Sequence, residues 1–209
     1  MTDLKDQSVQ IFLDQLASKT ATPGGGGAAA IMGAQAAALI SMVCNLTIGK
    51  PKYVEVDIEM QSLLRQSEAL REQLTAMIKA DADVFDCVMA AYGLAKTTET
   101  ETAKRSMIIQ EALKAATQVP LACARACADI LKLSQIAAEK GNINVISDAG
   151  VAAMAAFGAL KSAALNVYVN IGTLKDRDFA EACLAELEAV LLNAETTVEA
   201  VYQLVKSKL

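Results

Sequence analysis

The sequence predicts an all-α fold, one helical-bundle domain with long helices over residues 1–209, and three observations predict it. Apolar residues make up 54% of the chain, alanine dominates them, and there are only three prolines. Alanine is the strongest intrinsic helix former, and its small side chain lets helices pack into a dense core with few aromatics. Apolar residues also recur at three- and four-residue steps along the chain, with no convincing alternation; Ile143-Asn144-Val145-Ile146 is too short to build a sheet. The length suits a single core.

The elements follow in order. Ser8 reads as an N-cap, and Val9, Phe12, Leu13 and Leu16 form one stripe that stops near Thr20. After Thr22-Pro23-Gly24-Gly25-Gly26-Gly27, a second helix runs from about Gly26 to Ile48 and ends at Gly49, with Lys50-Pro51-Lys52 as a turn. A third segment, Val54 to Leu94, carries Leu63, Leu70, Leu74, Met77, Ile78, Phe85, Val88 and Tyr92 at bundle spacing. Unbroken, it would reach roughly 60 Å at 1.5 Å per residue, so either a kink or a helix serving a subunit contact is expected. Thr97 to Thr102 reads as a loop. Further helices are expected at Glu101 to Gln118, Pro120 to Glu139, Asp148 to Ile171 and Arg177 to Ser207. Pro120 belongs in a first turn or at a kink. Gly141-Asn142 closes one helix, Asn144 to Asp148 turns into the next, and Ser147 or Asp148 is the expected N-cap.

Charge and composition exclude several functions. The net charge is −5 and no basic stripe is visible, which argues against nucleic-acid binding. There is no histidine, so no His triad, His base or His metal ligand exists. Acid–base chemistry must come from Asp, Glu, Lys, Tyr, Cys or the substrate, and no metal site is expected. The five cysteines read as buried free thiols, Cys123 and Cys127 included. With no leader ahead of the charged start Met1-Thr2-Asp3-Leu4-Lys5, a reducing cytoplasm is expected. Gly24 to Ile48 and Ala149 to Leu165 are long and poorly charged, but polar interruptions make them buried central helices rather than membrane spans.

Four features carry candidate chemistry. Pro23-Gly24-Gly25-Gly26-Gly27 enters a helix, where bare backbone and free N–H groups suit an anion or a flat ring; the alternative is a flexible connector. Asp81 lies on the apolar stripe between Met77-Ile78 and Phe85, while Asp83 and Asp86 fall on other faces. A buried carboxylate is costly unless paired, so an ion pair with a neighbouring helix is its bland explanation. Asn144, Ser147 and Asp148 cluster before a long apolar helix, where capping explains one of them but not all. Asn166 and Asn170, four apart on that helix, call for a buried partner in a ligand or another helix.

Together these residues resemble a family. The run Ser8 to Leu16, then Thr22-Pro23-Gly24-Gly25-Gly26, then Met42 to Lys50 with Tyr53, is similar to the cyclodeaminase/cyclohydrolase family. Its members are formiminotetrahydrofolate cyclodeaminase and methenyltetrahydrofolate cyclohydrolase. Asp81-Ala82-Asp83-Val84-Phe85 resembles its acidic helix motif. Arg105 with Gln110, Val119-Pro120-Leu121, Asn144 with Ser147-Asp148-Ala149-Gly150, and Asn166-Val167 with Asn170 resemble its later motifs in order. The resemblance covers nearly the whole chain. Gly27 departs from it, standing where the family often has serine or another small residue, which takes one hydroxyl from the pocket.

The resemblance implies a homodimer with a folate pocket near the subunit contact, a tetrahydrofolate derivative as substrate and no cofactor. Both reactions act on the carbon between N5 and N10. In the cyclohydrolase, water adds to a cationic amidinium carbon and the adduct opens reversibly to 10-formyltetrahydrofolate. The cyclodeaminase lets N10 attack a formimino carbon and expels ammonia. Each needs a negative group near the cation, a base and a proton for the departing nitrogen. The expected catalytic set is Asp81, Asp148 and Ser147, with Asn144 orienting water or the pterin edge. Pro23 and Gly24, Gly25, Gly26 and Gly27 would hold the pterin or the glutamate carboxylate, Lys50 and Arg105 the tail, and Asn166 and Asn170 the ligand. Because no formiminotransferase domain precedes, the cyclohydrolase is expected first and the cyclodeaminase second. A catalytically silent helical dimer is third, since heptad-like patterning needs no enzyme.

Overall fold

Seven α-helices, three short 3-10 turns and no strand make up the computed structural model among the described residues, 3–209. The first two residues of the expected leaderless start lie outside them. The helices are α1 (Val9–Leu16), α2 (Gly25–Asn45), α3 (Asp57–Tyr92), α4 (Glu99–Lys140), α5 (Ile146–Ile171), α6 (Arg177–Leu191) and α7 (Ala194–Lys208). Ser8 caps α1 as its residue type demands, its Oγ accepting the Ile11 amide at 3.3 Å.

At the centre α2 and α5 run antiparallel. Gly25 lies beside Asn166 at one end, Met32 packs against Gly158 in the middle, and Leu46 meets Asn142 at the other end. These two helices are long and apolar enough to cross a membrane. Here they form the middle of the bundle, flanked by α3 and α4. Their alanines allow that closeness: Ala36, Ala37, Ala152, Ala153 and Ala156 are all buried. A Cβ added at Gly33 would stand 2.9 Å from the Cys127 sulfur, so the α2–α4 contact depends on a bare backbone there.

At the end opposite Gly25, a buried polar latch holds the connection into α5. Asn142 donates from Nδ2 to the Leu46 carbonyl at 2.7 Å and from its backbone to Thr47 Oγ1 at 2.9 Å. Tyr53 Oη donates to Asn142 Oδ1 and accepts the Ile143 amide. Lys208, at the end of α7, reaches the Ala138 and Glu139 carbonyls at 2.6 and 2.9 Å, pairing acceptors that α4 leaves open at its C-terminus.

The boundaries decide between the two expectations for α3 and differ from the sequence expectation at four other places. α3 runs unbroken for 36 residues, so the kink is not used. The expected loop at 97–102 is mostly helix, because Thr98 and Glu101 form a capping box that starts α4 at Glu99. α4 then continues for 42 residues straight through Pro120. A mid-helix proline leaves the carbonyl four residues back without its donor. Asn170 of α5 supplies one, its Nδ2 reaching the Ala116 carbonyl at 2.9 Å. Finally, Arg177 to Ser207 is two helices, broken at Asn193 in the left-handed conformation with φ 65°. α5 also starts before Ser147 and Asp148, which sit in its first turn rather than at the cap. Asp148 there faces the positive end of the helix dipole.

Candidate active site

Four elements enclose one cavity of about 300 Å³. The start of α2 contributes Gly24, Gly25 and Gly26, with Ala21 and Thr22 ahead of it. α3 contributes Asp81, Val84, Phe85 and Val88, a single face at spacings of three and four. Ala116 and Pro120 come from α4, and Asn166, Val169 and Asn170 from α5.

Asp81 is the one ionisable side chain on this wall. Its Oδ2 accepts the Gly27 amide at 2.9 Å. α2 opens with glycines and its own N-cap, Gly24, has no side chain to offer. A carboxylate from another helix therefore takes the capping role. The approach is so close that a Cβ at Gly26 would lie 2.0 Å from Asp81 Oδ1, which only glycine permits. Gly27 is different: a Cβ there would meet Pro23 at 3.8 Å and Asp81 at 3.9 Å, ordinary contact.

Burial pushes the Asp81 carboxyl above the ordinary aspartate range, and the Gly27 amide pulls it part of the way back. The dipole of α2 also favours the anion. The ion pair that would have explained Asp81 blandly is not found: its partner is a backbone amide, and no Lys or Arg among the described residues bridges it. Its charge stays available to a cationic ligand. Asp83 is exposed and pairs with Lys79, and Asp86 is exposed.

Both asparagines of α5 reach the cavity wall with one end already committed. Asn166 Nδ2 donates to the Ser162 carbonyl, and Asn170 Nδ2 to the Ala116 carbonyl, each at 2.9 Å. Gly25 lies against Asn166, with room for a Cβ at 3.7 Å. Pro23 is buried behind the glycine turn, and Gly27 donates to Asp81 without lining the wall.

The other expected site residues lie elsewhere. Asn144, in the 3-10 turn before α5, and Ser147 are exposed, and Asp148 is half-buried; Ser147 and Asp148 lie in the first turn of α5. Asp148 stands roughly 27 Å along the helix axis from Asn166 at 1.5 Å per residue. The pocket that was to combine Asp81 with the Asn144–Gly150 turn does not form within the chain, because α5 separates the two groups by most of its length. Lys50 is exposed beyond the far end of α2, at that same remote end. Arg105 donates from Nη2 to the Tyr92 carbonyl at 2.9 Å and lies 5.6 Å from the Tyr92 ring centroid, closing the end of α3 rather than lining the cavity. Val84, Val88, Ala116, Val169 and Thr22 were not foreseen as wall residues. The register of Asp81 with Phe85 could have located the two valines; nothing local could have located the rest.

The cavity thus places one carboxylate without a cationic partner among the described residues, two asparagine amides and the glycine backbone of a helix start around a largely apolar hollow. Its volume is at the low end of ligand pockets, roughly 300–1,000 Å³, and suits a ring system rather than a long-tailed molecule in full.

Comparison with known proteins gives a consistent result. Residues 8–189 match the family described as formiminotransferase-cyclodeaminase. The chain is 59% identical over 203 residues to a methenyltetrahydrofolate cyclohydrolase from Methylorubrum extorquens, covering 97% of this chain and 98% of that one. It is 34% identical over 193 residues to the formimidoyltransferase-cyclodeaminase of Rattus norvegicus, covering 92% of this chain but 36% of that longer protein. A crystal structure of formiminotetrahydrofolate cyclodeaminase from Thermotoga maritima superposes with a TM-score of 0.83 at 34% identity, over 99% of this chain and 98% of that one.

Proposed function

The chain belongs to the formiminotransferase-cyclodeaminase family, and on that premise we propose how its cavity works. The enzyme hydrolyses 5,10-methenyltetrahydrofolate to 10-formyltetrahydrofolate, reversibly. The near-full-length likeness to the Methylorubrum cyclohydrolase supports the reaction. The single structural observation that supports the site is the carboxylate of Asp81 on the cavity wall, held by a backbone amide and with no cationic partner among the described residues.

The substrate's bridge carbon carries the positive charge of an amidinium between N5 and N10. Asp81 stabilises that cation and takes a proton from the attacking water as the C–O bond forms. Its carboxyl, raised by burial, is a better base than an exposed aspartate. The tetrahedral adduct then breaks its C–N5 bond. N5 receives the proton that Asp81 took, the carbonyl of the N10 formyl group forms, and the hydroxyl proton leaves to solvent. Gly25 and Gly26 line the cavity and stand in the first turn of α2, whose N–H groups lack intrahelical acceptors and suit a ligand oxygen. This scheme calls on no cofactor or metal, only on the folate itself.

Assembly as a homodimer belongs to the same reading. On α5, Val151, Met154, Leu165 and Val169 are 55%, 50%, 66% and 71% exposed, at helical spacing on one face. An apolar strip of this kind, interrupted only by the exposed Lys161 among these positions, suits a subunit interface. Val169 also lines the cavity, which puts the ligand site beside that surface. Five free thiols suit a reducing cytoplasm.

The test is loss of the methenyl chromophore, corrected for spontaneous hydrolysis, with the formyl product identified. A parallel reaction with 5-formiminotetrahydrofolate, read by ammonia release, distinguishes the cyclodeaminase. A folded enzyme without turnover of the methenyl compound overturns the reading.

A further inference from the structure

An asparagine side chain can ordinarily turn over and offer a ligand either its oxygen or its NH2. In Asn170 that freedom is gone. Its NH2 pairs with the Ala116 carbonyl at 2.9 Å, and a carbonyl can only accept. The reversed amide would set oxygen against oxygen and leave Ala116 unpaired. Ala116 needs that donor because the residue four positions on is Pro120, which has no N–H. Asn166 is held in the same sense by the Ser162 carbonyl at 2.9 Å. Asp81, the remaining strongly polar side chain on the wall, accepts as well. Each of the two amides keeps one further N–H, but neither can exchange its oxygen for its NH2, so both carry a fixed acceptor beside the Asp81 carboxylate and the Thr22 hydroxyl, which works either way.

We infer that Asn166 and Asn170 are specificity residues that read N–H donors on the pterin ring, its 2-amino and N3–H edge, and that Pro120 fixes the polarity of Asn170. The inference rests on the folate reading above. A ring that brings donors satisfies the two amide oxygens. A ring alkylated on its 2-amino group leaves them desolvated and unpaired. Sites built around such bonds reject the analogue lacking them far more strongly than apolar pockets reject a missing methylene.

The experiment compares kcat and KM for 5,10-methenyltetrahydrofolate and its N2,N2-dimethyl analogue. It uses the wild type, Asn170→Ala, Pro120→Ala and the double variant Asn170→Ala/Pro120→Ala. In the double variant residue 120 regains an N–H for Ala116, so the folding defect of Asn170→Ala is repaired while the acceptor stays absent. The wild type should favour the unalkylated ring by about 100-fold in kcat/KM. Asn170→Ala and the double variant should raise KM about tenfold, keep kcat within about threefold, and reduce the preference below about tenfold. Pro120→Ala alone gives Ala116 a backbone donor and frees the Asn170 amide to turn, so its preference should fall between those of the wild type and the double variant; an undiminished preference there overturns the role given to Pro120. A double variant with native melting and an undiminished preference overturns the inference, as does a wild type that hydrolyses both rings equally well; the reaction itself then still stands. A folded wild type that turns over neither compound removes the reaction and the inference together.

Discussion

The Asp81 carboxylate accepts the backbone amide of Gly27 at 2.9 Å, so that a residue of α3 completes the first turn of α2. The same group is the candidate catalytic carboxylate. Its structural and chemical roles are therefore superimposed, and they separate by substitution.

Asp81→Asn keeps an oxygen for the Gly27 amide and removes the charge. kcat/KM should fall by about 10²–10³, the scale of losing a preorganised electrostatic contact in a transition state. The melting temperature should stay near wild type. Steady-state kinetics alongside a thermal melt check this. A folded variant with wild-type kcat would restrict Asp81 to capping.

Two neighbouring glycines should behave oppositely. Alanine at Gly26 must push the Asp81 carboxylate aside, whereas alanine at Gly27 meets only ordinary contacts. Gly26→Ala should lose at least about tenfold in kcat/KM and about 1–2 kcal/mol of stability, as a displaced cap and an overpacked contact would. Gly27→Ala should stay near wild type in both. Equal effects at the two positions would contradict the observed approach of Asp81.

The direction of the Asp81 shift sets two pH dependences of opposite sign. Its folded carboxyl titrates above the ordinary aspartate value of 3.8. The folded state therefore binds this proton more tightly than the unfolded state. The stabilisation this confers is full below the ordinary value and is lost as pH rises through the folded one. Relative to Asp81→Asn, the wild type should be most stable at acid pH and lose ground as pH increases through that window. Activity runs the other way, because catalysis needs the ionised form: kcat/KM should fall as pH drops through the raised value. A bound cation favours the carboxylate, so the acid limb of kcat should lie at lower pH than that of kcat/KM. Coincident limbs would argue against contact between Asp81 and the cation.

Asn170 and Pro120 should be coupled in stability. Asn170→Ala leaves the Ala116 carbonyl unpaired and should cost about 1–3 kcal/mol. In a Pro120→Ala background the backbone pairs that carbonyl and the same change should cost well under 1 kcal/mol. Denaturant unfolding of the four proteins measures the difference. Additive effects would show that Asn170 does not replace the missing N–H.

The apolar face of α5 gives the fifth test. Leu165→Glu places a charge at the most open leucine of that face and should convert a homodimer to monomers in sedimentation equilibrium. The cavity residues are untouched by this change. An unaltered mass would place the subunit contact elsewhere.

Local chemistry written in the residue order determined much of this protein. Alanine content and apolar spacing determine that the chain is helical, Ser8 determines where α1 begins, and the register of Asp81 with Phe85 determines that they share a face. The glycines before α2 mark a backbone open to close approach. What periodicity cannot determine is which helix a face meets. Asp81 and Asp148 are both candidate catalytic carboxylates in one dimension, yet one lies at the glycine turn and the other most of a helix length away. Pro120 makes the same point in energetic terms. Its local rule, that proline ends a helix, rests on an unpaired carbonyl, and only the packing of α5 against α4 brings Asn170 to pair it. The long helix, the cavity beside it and the polarity of the amide in its wall therefore come from tertiary structure, through hydrogen bonds between residues 54 positions apart.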